Sequence, residues 1–580
     1  MIKPSHYDDD GYVIQWAKAW VPSNSLACLY GILLDFCENG GLGRDVEIII
    51  NAYDETNTVI PITKISRRLK QRDASGIVCM VGVQSNQFPR TMHIARQFRA
   101  QNIDVAIGGF HVSGCLAMLD QLPPDIQEAK DLGIILFAGE ADGRLGGFLK
   151  DAYENRLRPV YNYMDDLPGL EEQPTPILPR KLVQKYSGSI AGFDAGRGCP
   201  FQCSFCTIIN VQGRKSRYRS ADDVEKLVRA NIKQGIWRFF ITDDNFARNK
   251  NWEAIFDRLG DLREEYNLPF SIIIQVDTLC HKIENFIPKA KRAGIGRVFI
   301  GLENINPDNL IAAKKRQNKI TEYRKMLQAW REQTIITYAG YILGFPADTP
   351  ERIERDIRVI QEELPVDILE FFCLTPLPGS EDHKVLTQNN VAMDSDMNIY
   401  DLEHVCTGHE VMSKQEWSDI YARSWNLFYS PAHIKTLMRR AIASGNKAER
   451  IWAHTLQFHG CMKYEKVHPL QGGYFRRKIR SQRREGLPLE NPLLWYPKRL
   501  GEIVSTYIPF LIYAIKLRLL CERVKREMRH KTYTDKSLEK VVDGEGEDLQ
   551  MFKLTTSAKA AVSRARNHVK IRRKISSAAR

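Results

Sequence analysis

The sequence predicts an α/β protein in three successive regions: a doubly wound parallel sheet, a six-unit partial (β/α) barrel, and a mostly helical C-terminal region. Three observations carry this prediction. Short apolar runs alternate with amphipathic segments up to about Tyr153; the alternation resumes near Ser189 and continues to Leu374; beyond Pro376 it gives way to long amphipathic segments rich in aromatics. At 580 residues the chain exceeds what one hydrophobic core organises, so two or three domains are expected.

In the N-terminal region, residues 12–18, 46–51, 76–82, 104–108 and 133–137 read as strands. Helical periodicity over 25–36, 59–71, 90–100 and 114–122 separates them, the pattern of a parallel sheet covered on both faces. Ligands of such sheets sit beyond the strand carboxyl ends. The loops there are Val81-Gly-Val-Gln-Ser-Asn-Gln-Phe-Pro89, with Ser85 and Asn86; Ile107-Gly-Gly-Phe-His-Val-Ser-Gly114, with Gly108, Gly109 and His111; and Ala138-Gly-Glu-Ala141, with Gly139 and Glu140. Paired glycines let a backbone pass close to a bulky flat ligand.

Prolines recur at Pro168, Pro174, Pro176 and Pro179, which marks a linker. The second alternating region then places strands over 189–194, 238–242, 271–276, 297–302, 335–344 and 368–374, with helices such as 221–234 and 251–266 between them. Ser220-Ala-Asp-Asp223 is a capping box that starts the first of these helices. The expected boundaries are 1–153 for the first domain, 154–187 for the linker, 188–378 for the barrel, 379–530 for the helical domain and 531–580 for a basic tail.

Three cysteines, Cys199, Cys203 and Cys206, fall within Gly196-Arg-Gly-Cys-Pro-Phe-Gln-Cys-Ser-Phe-Cys-Thr207. The C-x3-C-x2-C spacing gathers three thiolates, one fewer than a closed tetrahedral zinc site or a fully thiolate-ligated cluster needs. An open coordination position is implied; a zinc knuckle with a distant fourth ligand is the plainer alternative. The stretch, with the aromatic Phe205 before the third cysteine, resembles the radical S-adenosylmethionine superfamily. That resemblance implies a [4Fe-4S] cluster whose bare iron binds S-adenosylmethionine, at the mouth of the barrel.

The Gly-Gly-x-His and Gly-Glu loops of the N-terminal region are similar to the cobalamin-binding domain that precedes the barrel in one class of that superfamily. The resemblance implies that Ser85, Asn86, Gly108, Gly109, His111, Gly139 and Glu140 surround cobalamin. No Asp-x-His-x-x-Gly motif occurs, so no histidine is expected on the lower face of the cobalt. A flavodoxin-like domain without cofactor is the alternative. In the barrel, Asp243 and Asp244 close the second strand where the family binds the methionine amino nitrogen, although the wording departs from Gly-Gly-Glu. Gln275 and Asp277 end the third strand and Glu303 the fourth, at the expected height of ribose and substrate. Gly340, Ile342 and Gly344 resemble the Gly-x-Ile-x-Gly strand that lines adenine.

The class implies radical methylation of an unactivated carbon in a small-molecule or lipid-like substrate, with methylcobalamin as donor and an external electron donor such as flavodoxin or ferredoxin. Radical cyclisation or oxidation on the same scaffold, radical RNA modification, and an iron-sulfur sensor are the alternatives; the barrel's strand-end set speaks against a sensor. His404, Cys406 and His409 have metal-ligand chemistry, but their spacing fits no common closed site and a loop role is expected.

The net charge of +13 is uneven, since 553–580 holds Lys and Arg without a single Asp or Glu. A solvated terminus is expected there, and nucleic acid is not an expected partner. Residues 503–520 are the most apolar run; Pro509, Lys516 and Arg518 argue against a spanning helix, and packing on the protein is expected over peripheral membrane contact. Twelve scattered cysteines and a polar, acidic start fit a cytoplasmic protein without signal or transit peptide.

Overall fold

The computed structural model describes residues 1–43, 45–71, 75–541, 559–560 and 563. The basic run expected as a tail, 553–580, lies outside the described residues except at 559, 560 and 563. The chain divides into two compact units: Met1–Ile272 with Thr375–Asp401 and Val467–Val504, and Ile273–Leu374 with Leu402–Lys466 and Ser505–Arg580.

The first unit opens with a six-stranded sheet in the order Tyr53–Asp54, Ile2–Lys3, Ile77–Met80, Asp104–Gly108, Ile135–Ala138, Val160–Asn162. Every pairing in it is parallel. Because strand side chains alternate between faces, Val105 and Ile107 join Val78, Met80 and Leu136 on one side, where Phe88, Met92 and Phe98 of the helix Phe88–Arg99 cover them. Ala106, Ile135 and Tyr161 face the other way, against Ile32 and Leu33 of Asn24–Glu38 and Leu145 and Phe148 of Leu145–Tyr153. Burial of each large side chain contributes about 1.5–3 kcal/mol, so both helical layers are firmly held. This is the doubly wound architecture that the alternation predicts.

Three of its details differ from expectation. Residues 46–50 form no strand; the sheet uses Tyr53–Asp54 instead, held beside Ile2–Lys3, a short strand that carries no alternation of its own. The strand expected over 12–18 forms as Gln15–Ala19 but leaves the parallel sheet, pairing antiparallel with Gly473–Arg477. Its fully buried Trp16 explains the choice, since the indole Nε1 donates to the Gln471 carbonyl at 2.8 Å. The sixth strand, Val160–Asn162, lies where the sequence reads as the edge of a linker, because three residues are too few to show a period.

The six strands expected in the second alternating region all form, as Ile190–Phe193, Arg238–Ile241, Ser271–Val276, Ile295–Glu303, Ile336–Leu343 and Ile368–Cys373. In the first unit Ile190–Phe193 and Arg238–Ile241 pair parallel, and Ser220 caps Ala221–Lys233 with the reciprocal Asp223 contact that the capping box predicts. In the second unit the parallel ladder runs from Ile295–Glu303 through Ile336–Leu343 to Ile368–Cys373. Later helices include Lys414–Phe428, Pro431–Ala443, Ala448–Thr455 and Pro492–Glu527. The run 503–520 lies inside the last of these, and only 6% of that helix's most apolar eighteen residues is buried. Packing on the protein therefore accounts for one of its faces and not the other, because its apolar residues encircle the helix while a single flank meets the fold.

Candidate functional site

The cysteine loop grows from the end of Ile190–Phe193. Gly196–Arg197 turns back against Arg217–Tyr218 as a two-stranded antiparallel clip, which fixes both ends of the loop. Gly198 follows with φ +83°, where an added Cβ would stand 2.9 Å from the carbonyl oxygens of Gly213 and Lys215. Only glycine admits this turn. The Cys199 amide then donates to the Gly213 carbonyl at 3.2 Å and the Cys206 amide to the Cys203 carbonyl at 3.2 Å. Cys203 is buried, Cys199 and Cys206 half-buried, and none of the three is in a disulfide. Burial, reinforced by Cys203 and Asp244, pushes the Cys206 thiol up to about 12. Three cysteines on one short, braced loop are a donor set suited to a thiophilic iron cluster, whose binding would displace the thiol protons.

Asp243 and Asp244 follow Arg238–Ile241 and divide their work. The Asp243 carboxylate accepts from the Ala195 amide at 2.7 Å and from the Asn249 amide nitrogen at 3.2 Å, so it braces the root of the cysteine loop. Burial holds it up at about 7. Asp244, half-buried, is also raised to about 7 by burial while the Gly198 backbone N–H pulls it down, and its charge reaches Cys206. Of the pair, Asp244 is the carboxylate that meets the cysteine loop. Phe205 is half-buried within that loop.

A cleft opens beyond the carboxyl ends of the first sheet, with about 990 Å³ of empty space counted out to its mouth. That is room for a large cofactor. Gly108, Gly109, Gly139 and Glu140 line it, together with Cys28, Ser113, Arg197 and Gln212. Ser85, Asn86 and His111 do not line it. His111 is buried behind the wall, its Nδ1 3.1 Å from the Ser85 hydroxyl and its Nε2 2.9 Å from the Asp125 carboxylate. Gly109 has φ +146°, and an added Cβ there would strike the Val83 nitrogen at 2.2 Å. The glycine pair is thus required by chain passing chain, not solely by a ligand passing chain.

Sequence reading missed the group that ties cleft to cysteine loop. Arg197, two residues before Cys199, donates through Nη1 to Glu140 at 2.7 Å and Asp142 at 2.6 Å, and through Nε to Asp194 at 3.0 Å. Arg217 also grips Glu140, and Arg219 lies 3.6 Å from Asp194. The Cys28 thiol donates to Asp194 at 3.1 Å. Three guanidiniums balance three carboxylates in a buried site, the condition under which such charges are tolerated. The desolvation that would raise Asp194 is overcome by Arg197 and Arg219, which hold it at about 2. A single signal was available in advance: Arg197, Arg217 and Arg219 flank the cysteine loop at spacings that no other feature explains.

The second unit carries the remaining predicted residues. Asp277 spends one oxygen on the Leu279 amide at 2.7 Å, and Gln275 is half-buried. Glu303 ends its strand at φ +59°, next to a register shift between Ile300 and Glu303, and pairs with the buried Lys315. A non-glycine residue held in the left-handed region costs about 1–3 kcal/mol and concentrates at ligand sites. Gly340 lies against Phe299 and Phe372, Ile342 is buried, and Gly344 packs under Trp417. His409 is spent on its own loop: Nδ1 accepts the Val411 and Met412 amides at 3.1 Å and Nε2 faces the Phe345 carbonyl at 2.9 Å.

Comparison with known proteins agrees with this geometry. The radical SAM superfamily matches residues 195–360. The chain is 26% identical over 348 residues to the bacteriochlorophyllide d C-8(2)-methyltransferase of Chlorobaculum tepidum, covering 56% of this chain and 72% of that protein. It is 24% identical over 353 residues to the hopanoid C-2 methylase of Rhodopseudomonas palustris, covering 58% and 64% respectively. In fold it is similar to TsrM, a radical S-adenosylmethionine methyltransferase from Kitasatospora setae solved with cobalamin and a [4Fe-4S] cluster, with TM-score 0.54, 15% identity, and coverage of 73% of this chain and 95% of that one. Residues 195–360, which begin at the root of the three-cysteine loop, thus match the radical SAM superfamily, and the fold of the chain is similar to that of a methyltransferase solved with cobalamin and a [4Fe-4S] cluster.

Proposed function

We propose that this enzyme methylates an unactivated carbon of a small, largely apolar substrate. The observation that carries the reading is the buried Arg197 network, which joins the cleft at the end of the first sheet to the loop that presents three thiols. The names of the relatives, a bacteriochlorophyllide methyltransferase and a hopanoid methylase, point to the same reaction class. When bound, the cluster with S-adenosylmethionine supplies hydrogen-atom abstraction and cobalamin supplies the methyl group.

The chain's own residues bind, orient and exclude water. Cys199, Cys203 and Cys206 hold the cluster as thiolates, and Gly198 and the clip Gly196–Arg197 keep their loop in one conformation. Asp244 offers a carboxylate to the ammonium of the methionine group, while Asp243 keeps the loop root in place through Ala195. Asp244 arrives nearly half-protonated near neutral pH, and an approaching ammonium stabilises its ionised form. Gly108, Gly109, Gly139 and Glu140 wall the cobalamin cleft. Gln275, Asp277, Glu303, Gly340, Ile342 and Gly344 are assigned to ribose, adenine and substrate on the strength of the family resemblance. The domain boundaries at 153, 187, 378 and 530 belong to the same reading. A flavodoxin or ferredoxin delivers the electron, and the enzyme works in the cytoplasm with peripheral contact at a membrane.

The test is anaerobic incubation of cluster- and cobalamin-loaded enzyme with reductant and S-adenosylmethionine, followed by mass spectrometry, with tetrapyrroles and hopanoids as first substrates. 5'-Deoxyadenosine together with S-adenosylhomocysteine and a methylated product is expected. Deoxyadenosine with a cyclised or oxidised product and no S-adenosylhomocysteine overturns methylation, and absence of both overturns the radical assignment.

A further inference from the structure

The long helix Pro492–Glu527 carries an apolar face that the fold leaves uncovered. Within the second unit, a single flank of this helix is committed to protein. Phe510 packs on Tyr464 with ring centroids 5.6 Å apart, the Tyr513 hydroxyl lies 2.7 Å from His459 Nδ1, and Trp452 donates to the Ala514 carbonyl at 3.2 Å. The opposite flank presents Ile508, Leu511, Ile512, Ile515 and Leu519, each between 47% and 61% exposed. Steps of three and four residues place these on one face. Within the first unit Leu493, Tyr496, Leu500 and Val504 repeat the pattern at 82%, 63%, 63% and 48% exposure, while Trp495 turns inward.

Charge is distributed as a lipid surface requires. From Ile503 to Ile515 the helix bears no charged side chain, and Glu502 just before it is occupied by Arg499 and Lys478. Exposed cations stand at the edges: Lys498 four residues after Leu494, Lys516 four after Ile512, and Arg523 beyond. The chain as a whole carries +13. Apolar insertion with cations at the headgroup level is the signature of a helix lying in the plane of an anionic bilayer. The committed inward flank, with its hydrogen bonds to protein, speaks against crossing the bilayer. A helix that spans must give all its faces to lipid or to partner helices.

We propose that the outward face of Pro492–Glu527 in the second unit docks this enzyme on an anionic lipid surface, with Ile508, Leu511, Ile512, Ile515 and Leu519 in the interface and Lys516 and Arg523 on lipid phosphates. The proposal deepens the peripheral placement given above, rests on it, and is independent of which carbon is methylated.

The test uses the full chain, loaded with cluster, in flotation with vesicles of phosphatidylcholine containing about one third phosphatidylglycerol. Binding is expected, weaker on pure phosphatidylcholine, reduced by salt yet not abolished by it. The double variant Leu511→Asp/Ile515→Asp should lose about tenfold or more of the partition coefficient while keeping its iron content, because both side chains are more than half exposed. A soluble intact protein, equal binding by the variant, or loss of binding on removing residues 553–580 instead would each overturn the proposal. So would self-association of the intact protein without lipid that the double variant abolishes, since the face would then join two copies. The vesicle assay contains no substrate, so its failure leaves the methylation reading standing and the converse failure leaves the docking result standing.

Discussion

Replacing Arg197 by methionine tests whether the buried charge network holds the cysteine loop. The side chain is 8% exposed and makes three contacts of 2.6–3.0 Å, to Asp142, Glu140 and Asp194. After the change, two guanidiniums face three carboxylates: Arg217 keeps Glu140 and Arg219 keeps Asp194 at 3.6 Å, whereas Asp142 loses its ion pair with Arg197. Removing one partner of a buried pair costs about 3–5 kcal/mol, because the charge left behind stays out of water. With a urea dependence of about 3 kcal/mol per molar for a body of this size, the unfolding midpoint of the cluster-free protein should fall by about 1–1.5 M. Adding Asp142→Asn removes the stranded charge and should recover more than half of the loss. The second readout is specific to the site. Iron content after anaerobic reconstitution and retained cobalamin should both fall in Arg197→Met, since the same side chain touches the cleft wall and roots the loop. A midpoint within about 0.3 M of the unaltered protein, or unchanged iron and cobalamin, would refute the reasoning.

Four further outcomes follow from the geometry. Cys203→Ala should abolish the cluster's absorbance and paramagnetic signal where the unaltered protein holds about four irons; stoichiometric zinc without iron would contradict it. Asp243→Asn addresses pH: a carboxyl raised from 3.8 to about 7 by burial gives its full stability below the unfolded value and loses it as pH rises through 7. The stability of the cluster-free protein relative to this variant should therefore drop by about 2 kcal/mol between roughly pH 5.5 and 7, and a pH-independent difference in urea titrations would sink the assignment. Asp244→Asn should weaken S-adenosylmethionine binding by about tenfold at unchanged iron content, read by calorimetry, whereas loss of the cluster instead would make Asp244 a brace like Asp243. Ala141→Trp, in the cleft wall, should lower cobalamin retention at constant iron, and the cobalt(II) spectrum of the unaltered protein should lack nitrogen superhyperfine splitting because no histidine is among the cleft-lining residues.

The barrel strands were legible almost to the residue, and three strands of the first sheet were not, for a physical reason. Ile336–Leu343 and Ile368–Cys373 are buried at every position, so they stand out as continuous apolar runs bounded by glycine, proline and polar residues. Ile2–Lys3, Tyr53–Asp54 and Val160–Asn162 are two or three residues long and exist because neighbouring strands recruit them. No period can be read from two residues. The strand at Gln15–Ala19 was visible and its partner was not, since Gly473–Arg477 lies more than four hundred and fifty residues away in sequence.

At the site, what sequence disclosed were the groups whose spacing is set by chemistry, and what it hid were those whose meeting is set by folding. Cys199, Cys203 and Cys206 are local, and the glycines of the 108–109 and 139–140 loops sit at strand ends that the alternation locates. His111 looked equal to Gly109 in the same tetrapeptide, yet the helix Phe110–Met118 starts between them and turns the imidazole toward Ser85 and Asp125, away from the cleft. Asp243 and Asp244 looked interchangeable, and alternation along an extended chain sends one to the backbone of Ala195 and the other toward Cys206. The Arg197 network joins residues from four separate stretches, 28, 140–142, 194–197 and 217–219, and no motif predicts that they meet. Its cost in desolvation is high, and a fold that needed only a bound cluster would have no use for so many buried charges near it. Their placement sets one shared guanidinium between the cleft wall and the root of the cysteine loop, Arg197 meeting Glu140 and Asp142 on one side and Asp194 on the other.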